Sequence, residues 1–265
     1  MLLAIDVGNT NTVFALYRGR VAAGQWRLST NRERTAEEYA AALIQLMALE
    51  GHRREDVAAI LICSVVPQAV LPLRWMSRDF FHCEAFVVGE DLELPIEVTL
   101  PNPREVGADR VVNAVAALTL YRPPLVIVDF GTATTCDVVD GQGRYCGGVI
   151  APGINLSLEA LARAAAKLPR IAVAQPDRVI GRSTVEAMQS GIYWGYVGLI
   201  DGLIARIEKE YGTPMTVVGT GGLAKLFAKG SERLGRIHPE LTMLGLVEIY
   251  QSNESRVRRK RRLES

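Results

Sequence analysis

The chain has 265 residues, of which 49% are hydrophobic and 22% are charged, the composition of an ordinary globular protein. Its 30 Lys and Arg residues nearly balance 29 Asp and Glu residues, which argues against a protein that acts on nucleic acid or on an anionic membrane. The four cysteines form no C-x-x-C pair and the three histidines are scattered, so neither a zinc site nor a disulfide framework is expected. Without a signal peptide or a membrane-spanning apolar run, we expect a soluble, cytoplasmic protein.

The predicted elements alternate between strands and helices. Short apolar runs that end in turn residues predict strands, and apolar residues that recur every three or four positions predict helices. The predicted strands are Leu2–Ile5, Thr12–Leu16, Val21–Leu28, Ala58–Val66, Ala85–Val88, Leu125–Val128, Cys136–Val139 and Met215–Val218. The predicted helices are Thr35–Glu50, residues 68–80, Arg110–Leu120, Leu156–Lys167, Ser183–Tyr211 and one that begins at Leu223. This alternation is typical of an α/β fold.

An internal repeat divides the chain. The segment Ala4–Val13 recurs as Ile127–Cys136, and both copies read apolar, apolar, Asp, apolar, Gly, then Asn or Thr. Two copies of one strand–turn–strand unit, almost half the chain apart, predict two related domains. We expect an N-terminal domain over residues 1–120 and a C-terminal domain over residues 121–255. The strongly basic tail that follows, residues 256–265, is expected to be a solvated terminus, and contact with nucleic acid or lipid is the alternative.

The Asp-x-Gly-Asn/Thr turn has the chemistry of a phosphate site. Its glycine lets the backbone approach a ligand, and its amide groups and short polar side chains can cradle phosphate. The aspartate at the strand end can hold a cation. One such turn could equally be an ordinary polar hairpin, whereas two copies in equivalent settings favour phosphate binding.

A second acidic position, Asp109, lies in the run Glu105–Arg110 just before a predicted helix. Its carboxylate could take a proton from a substrate hydroxyl, and Arg110 could bind a carboxylate or steady a phosphate. Judged from the residues alone, a helix cap explains this pair at least as well. A glycine-rich segment, Thr216–Ala224, could approach a base or ribose, and also matches a dinucleotide-binding fingerprint that the remaining chain is too short to complete.

The two turns resemble the phosphate-1 and phosphate-2 motifs of the acetate/sugar kinase, Hsp70 and actin superfamily, and Thr216–Ala224 resembles its adenosine motif. With Gly107-Ala108-Asp109-Arg110, the chain resembles the type III pantothenate kinases over about residues 1–250. Further motifs agree with this family: Gly148–Ile154, Lys167–Pro169, Gly181–Val185, Gln189–Ile192 and Gly195–Gly198. At one position the chain departs from the family, which usually has a tyrosine where this sequence has Leu100.

The resemblance implies two ribonuclease H-like (actin-like) domains with a nucleotide cleft between them. It implies ATP-dependent phosphorylation of pantothenate to 4'-phosphopantothenate, the first step of coenzyme A biosynthesis, in a homodimer. Asp109 would be the general base, Asp129 would bind potassium or ammonium, and magnesium would accompany ATP. The ATP phosphates would bind Asp6, Val7, Gly8, Asn9, Thr10, Asn11, Thr12, Val13 and Thr132. Pantothenate would bind Gly107, Ala108, Asp109, Arg110 and Thr184.

Two other functions stay open at this point. The chain could be a non-catalytic regulator related to this family, an accessory transcription factor, which the basic tail favours. It could also be a kinase of the same superfamily that acts on another small molecule, although the Gly-Ala-Asp-Arg motif disfavours this.

Overall fold

The computed structural model describes residues 1–164, 168–255 and 257. The strands are β1 Leu2–Val7, β2 Asn11–Arg18, β3 Val21–Ser29, β4 Ala59–Ser64, β5 Ala85–Val87, β6 Leu125–Phe130, β7 Ala133–Val139, β8 Tyr145–Pro152, β9 Thr216–Gly221 and β10 Arg236–Ile237. The α-helices are α1 Ala36–Leu49, α2 Pro67–Phe80, α3 Ala108–Leu120, α4 Ile154–Ala164, α5 Thr184–Tyr211, α6 Ala224–Phe227 and α7 Leu241–Ser252. No helix in this described part of the chain is both long and apolar enough to cross a membrane.

The described residues form two compact units. The first unit comprises residues 1–97 and 101–116 together with the described residues from 242 onward, and the second comprises residues 98–100 and 117–241. The predicted division, 1–120 and 121–255, differs from these units chiefly in α7, which belongs to the first unit. Met243 and Leu246 of α7 pack there with Leu2 and Ala59, because the apolar face of the helix is buried against β1 and β4. The predicted basic tail lies outside the described residues apart from residue 257.

The sheet of the first unit has the strand order β3-β2-β1-β4-β5. Strands β1, β2 and β3 are antiparallel neighbours, whereas β4 and β5 run parallel to β1. Side chains of β1 alternate between two cores, with Leu3 in the one that α1 and α2 cover and Leu2 in the one that α3 and α7 cover. A strand that is buried on both faces requires an unbroken apolar run, which explains the sequence of β1.

The second unit repeats this topology with the strand order β10-β9-β6-β7-β8. Strands β6, β7 and β8 are antiparallel neighbours, and β9 and β10 continue the sheet in parallel. Its core is rich in aromatic rings, and Phe227 of α6 stacks on Phe130 and Tyr193 with centroid separations of 5.4 and 5.3 Å. Identical strand order and direction in both units confirm the predicted α/β fold with internal duplication.

Three elements were not predicted from the sequence: β8, β10 and α7. Strand β8 contains two adjacent glycines and a terminal proline, which disfavour a strand by local propensity, yet it pairs with β7 along its length. Pairing with a neighbouring strand therefore determines this element. The last three residues of the predicted helix Leu156–Lys167 lie outside the described residues.

Candidate active site

The first turn, between β1 and β2, has four residues, Gly8–Asn11, between the paired residues Val7 and Thr12. Val7 and Thr12 face each other across the ladder, and the Gly8 amide donates to the Asn11 carbonyl at 3.0 Å. A Cβ atom on Gly8 would lie 3.3 Å from that carbonyl oxygen, closer than most side chains tolerate. The three residues that follow Gly8 are exposed, so the turn presents polar side chains and backbone to a ligand.

Thr30, just beyond β3, braces this turn. Its amide donates to the Thr10 carbonyl at 2.9 Å, and its hydroxyl donates to the Gly8 carbonyl at 2.7 Å. The same hydroxyl lies 3.0 Å from the hydroxyl of Thr12, which is fully buried. These hydrogen bonds attach the first turn to the residue that follows β3. Thr30 was not identified from the sequence, because no local motif surrounds it and its partners lie about 20 residues away.

Asp109 is the second residue of α3. Its Oδ1 accepts a hydrogen bond from the Arg110 amide at 2.8 Å, and the Gly107 carbonyl accepts from the same amide at 3.1 Å. A Cβ atom on Gly107 would lie 2.6 Å from Asp109 Oδ1, so only glycine leaves room for the carboxylate in this position. Asp109 is therefore an acidic residue of the first helical turn, and its bond to the Arg110 amide fixes the direction of the carboxylate.

The carboxylate of Asp109 is largely shielded from solvent. Burial raises its pKa above the ordinary value for aspartate, and hydrogen bonding and charge from Arg110 oppose the shift. Burial also raises the pKa of the Cys63 thiol, and the nearby charges of Asp6 and Asp109 add to that increase. Cys63 faces Asp6 across the parallel pair of β1 and β4. The charges of the first-turn aspartate and of the predicted base thus both act on the same buried thiol.

The second turn, between β6 and β7, is one residue shorter than the first. Phe130 faces Thr134 with three residues between them, and the Gly131 amide donates to the Ala133 carbonyl at 3.1 Å. The sequence repeat aligned Thr12 with Thr135, but the shorter turn puts Thr134 in the equivalent place. Thr134 is 2% exposed, as deeply buried as Thr12. The sequence alignment of the repeat is thus corrected by one residue after the turn.

Two oxygen atoms converge at the end of β6. A Cβ atom on Gly221 would lie 2.7 Å from Asp129 Oδ1 and 2.7 Å from the Phe130 carbonyl oxygen. Gly221 has a φ of +88°, a backbone conformation that favours glycine. A carboxylate and a carbonyl on one side of a glycine form a cradle of hard oxygen ligands, as alkali and alkaline-earth cations prefer. Within the described ranges, no group of three or more His, Cys, Asp or Glu side chains could hold a metal ion.

The other predicted residues of the second unit lie at element ends. Thr132 is exposed at the tip of the second turn, and a Cβ atom on Gly153 would overlap its carbonyl oxygen at 2.0 Å. Thr184 is the exposed first residue of α5, whose N-cap Ser183 accepts from the Glu186 amide at 3.2 Å. Gly153 was noted in the sequence only as part of a motif, and the structure explains it by its close approach to the second turn.

The predicted adenosine segment has a packing role at its first glycine. A Cβ atom on Gly219 would lie 2.9 Å from both Leu234 Cδ1 and Ile237 Cδ1. Gly222, in contrast, has no atom within 4 Å of such a position, so its backbone is open to a ligand. The four-residue helix α6 follows, too short to complete the dinucleotide-binding alternative.

Leu100, at the position where the resemblance suggests a tyrosine, lies in the second unit. Its Cδ2 is 3.4 Å from the position of a Cβ atom on Gly147 of β8, and the neighbouring Thr99 amide donates to the Tyr145 carbonyl at 2.9 Å. The segment around Leu100 is thus held along β8 and offers an apolar side chain there.

Comparison with known proteins identifies a family. Residues 2–206 match the family model described as type III pantothenate kinase. A type III pantothenate kinase of Paramagnetospirillum magneticum is 56% identical over 97% of this chain and 100% of its own length. The chain is thus similar to this enzyme over nearly its whole length.

Solved structures show the same fold at low identity. A Campylobacter jejuni protein named for the Baf family of transcriptional activators aligns with a TM-score of 0.62 and 18% identity, covering 96% of this chain and 99% of its own. An inorganic polyphosphate/ATP-glucomannokinase of Arthrobacter aligns with a TM-score of 0.51 and 14% identity, covering 95% and 98%. At these identities the likeness shows the fold alone, so the first structure does not favour the regulator alternative.

Proposed function

The chain belongs to the type III pantothenate kinase family, and we propose that it transfers the γ-phosphoryl group of ATP to the hydroxyl of pantothenate with Asp109 as general base. The product is 4'-phosphopantothenate, so the enzyme performs the first step of coenzyme A biosynthesis. Family membership carries the reaction and the substrate. The residue roles below are proposals argued from the contacts of each residue.

One observation carries the role of Asp109: a shielded carboxylate with a raised pKa, held in one orientation at the start of α3. A base works best when its pKa lies near the operating pH, so raising the pKa of an aspartate strengthens it as a proton acceptor. Gly107 leaves room for the carboxylate, and the Arg110 amide fixes one of its oxygens. The second oxygen is then the candidate proton acceptor.

The reaction needs one proton transfer and one phosphoryl transfer. The substrate hydroxyl oxygen forms a bond to the γ-phosphorus, the bond from that phosphorus to the β–γ bridging oxygen breaks, and ADP leaves. Asp109 takes the hydroxyl proton. Phosphoryl transfer depends mainly on positioning and neutralisation of charge, so the braced turn from Asp6 to Val13 contributes by holding the phosphates. Thr132 is the proposed phosphate ligand from the second turn.

We assign pantothenate to the residues around the base. Gly107, Ala108 and Arg110 flank Asp109, and the Arg110 guanidinium suits the carboxylate of pantothenate. Thr184, exposed at the start of α5, is the further substrate ligand.

We assign a monovalent cation, potassium or ammonium, to Asp129. The carboxylate of Asp129 and the Phe130 carbonyl converge beside Gly221, which fits a cation bound by hard oxygen atoms. The cation supplies positive charge near the phosphates, and magnesium accompanies ATP. In this proposal, the Asp129 carboxylate supplies one of the oxygen ligands of the cation.

A homodimer is the proposed assembly. The second unit exposes seven large apolar side chains, including Ile180 at 82% and Ile150 at 65%. Five of the seven lie within residues 150–180, and a sixth, Val185, lies in the first turn of α5. Exposed apolar side chains on this scale are typical of a surface that a partner covers, and a second copy is the partner that the family suggests.

An assay of ATP-dependent phosphorylation tests the proposal. Purified protein is incubated with pantothenate and Mg·ATP, with and without potassium or ammonium, and phosphopantothenate is measured by mass spectrometry. Cation-dependent formation of phosphopantothenate is the expected result. Product that forms equally well in sodium alone would remove the cation assignment, and the absence of product from folded protein would contradict the reaction.

A further inference from the structure

Arg34 lies on the loop that joins β3 to α1 and that contacts the first turn at its first residue. The loop begins at Thr30, whose amide and hydroxyl are bonded to the carbonyls of Thr10 and Gly8. Four residues later the Arg34 amide donates to the Asn31 carbonyl at 3.3 Å, just before α1 begins. Arg34 therefore lies only four residues after Thr30, the residue that is bonded to the first turn.

The guanidinium of Arg34 stacks over a buried ring. Its Cζ lies 5.2 Å from the ring centroid of Tyr39, which is fully buried. Burial raises the pKa of the Tyr39 phenol, and the neighbouring Thr12 hydroxyl and the Arg34 charge oppose the shift. Both groups therefore lie near the Tyr39 hydroxyl. Thr12 is the second residue of β2 and directly follows the Gly8–Asn11 turn, so the Arg34 guanidinium on the Tyr39 ring lies near the end of that turn.

One nitrogen of this guanidinium is buried without an acceptor. Nη1 of Arg34 is shielded from solvent and has no hydrogen-bond partner among the described residues. Arg34 as a whole is half-buried, but a shielded donor nitrogen is normally paired, because an unpaired one loses its hydration without compensation. A donor in this position beside a polar turn suits an anionic oxygen.

Composition restricts which cation can serve the first turn. Residues 1–116 contain no lysine, so in this range only arginine can supply a permanent positive side-chain charge. An arginine also presents a planar fork of donors that matches phosphate oxygens.

We propose that Arg34 is a further nucleotide-binding residue, whose guanidinium contacts a phosphate of ATP held on the Gly8–Asn11 turn. This inference rests on the proposed function, because it needs a nucleotide at that turn. The Tyr39 ring stacks against the guanidinium and orients it. The hydrogen bonds of Thr30 to Gly8 and Thr12 hold the turn. The competing role for Arg34 is purely structural, a cation on the Tyr39 ring that stabilises α1.

Nucleotide affinity separates the two roles. Binding of the magnesium complex of the β,γ-imido analogue of ATP, of ADP and of adenosine is measured by calorimetry for the wild type, R34M and R34K. The control is R32M, since Arg32 is exposed on the same loop. Loss of a charge-assisted contact should weaken analogue binding by R34M about 10-fold or more. R34K, which keeps the charge without the fork, should fall between R34M and the wild type.

The outcomes distinguish the inference from the proposed function. We expect R34M to lose affinity for the analogue and for ADP but not for adenosine, and R32M to bind as the wild type does. A lowered melting temperature with unchanged analogue affinity would assign Arg34 a structural role and overturn the inference alone. If R34M does not fold, R34K with wild-type affinity for the analogue overturns it as well. A wild type that binds no nucleotide would contradict the proposed function itself.

Discussion

Replacing Asp109 by asparagine removes the proposed base with little change of shape. The amide oxygen of asparagine can still accept from the Arg110 amide, and the side chain occupies the space that Gly107 leaves. The start of α3 should therefore stay intact. What is lost is the ability to accept a proton, and general base catalysis is worth about 10²- to 10⁴-fold in rate. We expect kcat to fall by about this factor and the KM values for ATP and pantothenate to change little.

The assay is steady-state phosphorylation with saturating potassium, run beside a control on the same loop. Glu105→Gln serves as the control, because Glu105 is exposed and its side-chain oxygen, which accepts from Asn102 Nδ2 at 2.8 Å, is kept in glutamine. The control should retain full activity. A loss of only a few-fold in Asp109→Asn, with an unchanged melting temperature, would refute the assignment of Asp109 as base.

The raised pKa of Asp109 adds a pH dependence of known sign. The base must be ionised, so kcat/KM of the wild type should fall as the pH drops through the pKa of Asp109, at a higher pH than for an ordinary aspartate. Stability moves in the opposite direction. Since the folded pKa lies above the unfolded one, the contribution of Asp109 is fully present below the unfolded pKa and is lost as the pH rises through the folded pKa. As the pH rises through the folded pKa of Asp109, the melting temperature of Asp109→Asn should therefore increase relative to that of the wild type. A difference in melting temperature that does not change with pH would contradict a raised pKa for Asp109.

Three further predictions follow from single contacts. Gly107→Ala should lower kcat about 10-fold or more, because its Cβ would lie 2.6 Å from Asp109 Oδ1; the control Gly191→Ala, with open space around its Cβ, should stay active. Asp129→Ala should abolish the potassium dependence of the rate and the potassium-induced rise in melting temperature, and an unchanged response to potassium would remove the cation from this residue. Ile180→Glu should convert the proposed dimer to a monomer in light scattering, whereas Val21→Glu, exposed on the first unit, should not.

The sequence predicted most of the fold because most elements carry their own pattern. Apolar runs identified β1, β4 and β6, and helical periodicity identified α1 and α5. Helix α7 escaped prediction in spite of its apolar residues. It contains Gly245, which lowers helix propensity, and a Cβ atom there would lie 2.2 Å from the Val112 carbonyl of α3. The glycine serves a close approach of two helices, a requirement that only the tertiary structure reveals.

The candidate site was only partly predictable, for a similar reason. The role of Asp109 as base came from a resemblance, since local chemistry favoured a helix-capping or first-turn acid, and the structure has Asp109 in the first turn of α3. Thr30 acts through residues distant in sequence, so no local spacing marks it, whereas Gly153 and Gly221 lay in noted motifs whose contacts only the structure shows. The repeat was visible in the sequence, but the alignment of its two copies after the turn needed the strand pairing. The second turn is one residue shorter, and threonines stand at both Thr134 and Thr135, so the sequence does not show the shift.

The duplicated aspartates differ in their surroundings, and this difference decides which one suits a cation. Asp6 and Asp129 occupy the same place on β1 and β6, and the next strand in each sheet carries Ser64 or Gly221 beside the turn. The Ser64 hydroxyl donates to the Val66 carbonyl at 2.9 Å. The end of β4 therefore carries a side chain that is bonded to its own backbone. Gly221 has no side chain, so Oδ1 of Asp129 and the Phe130 carbonyl oxygen can converge beside it. We therefore propose that the second copy holds the cation, whereas the aspartate of the first copy faces the buried thiol of Cys63 across the strand pair. On this proposal, the difference between Ser64 and Gly221 at one neighbouring position distinguishes the two copies of the turn.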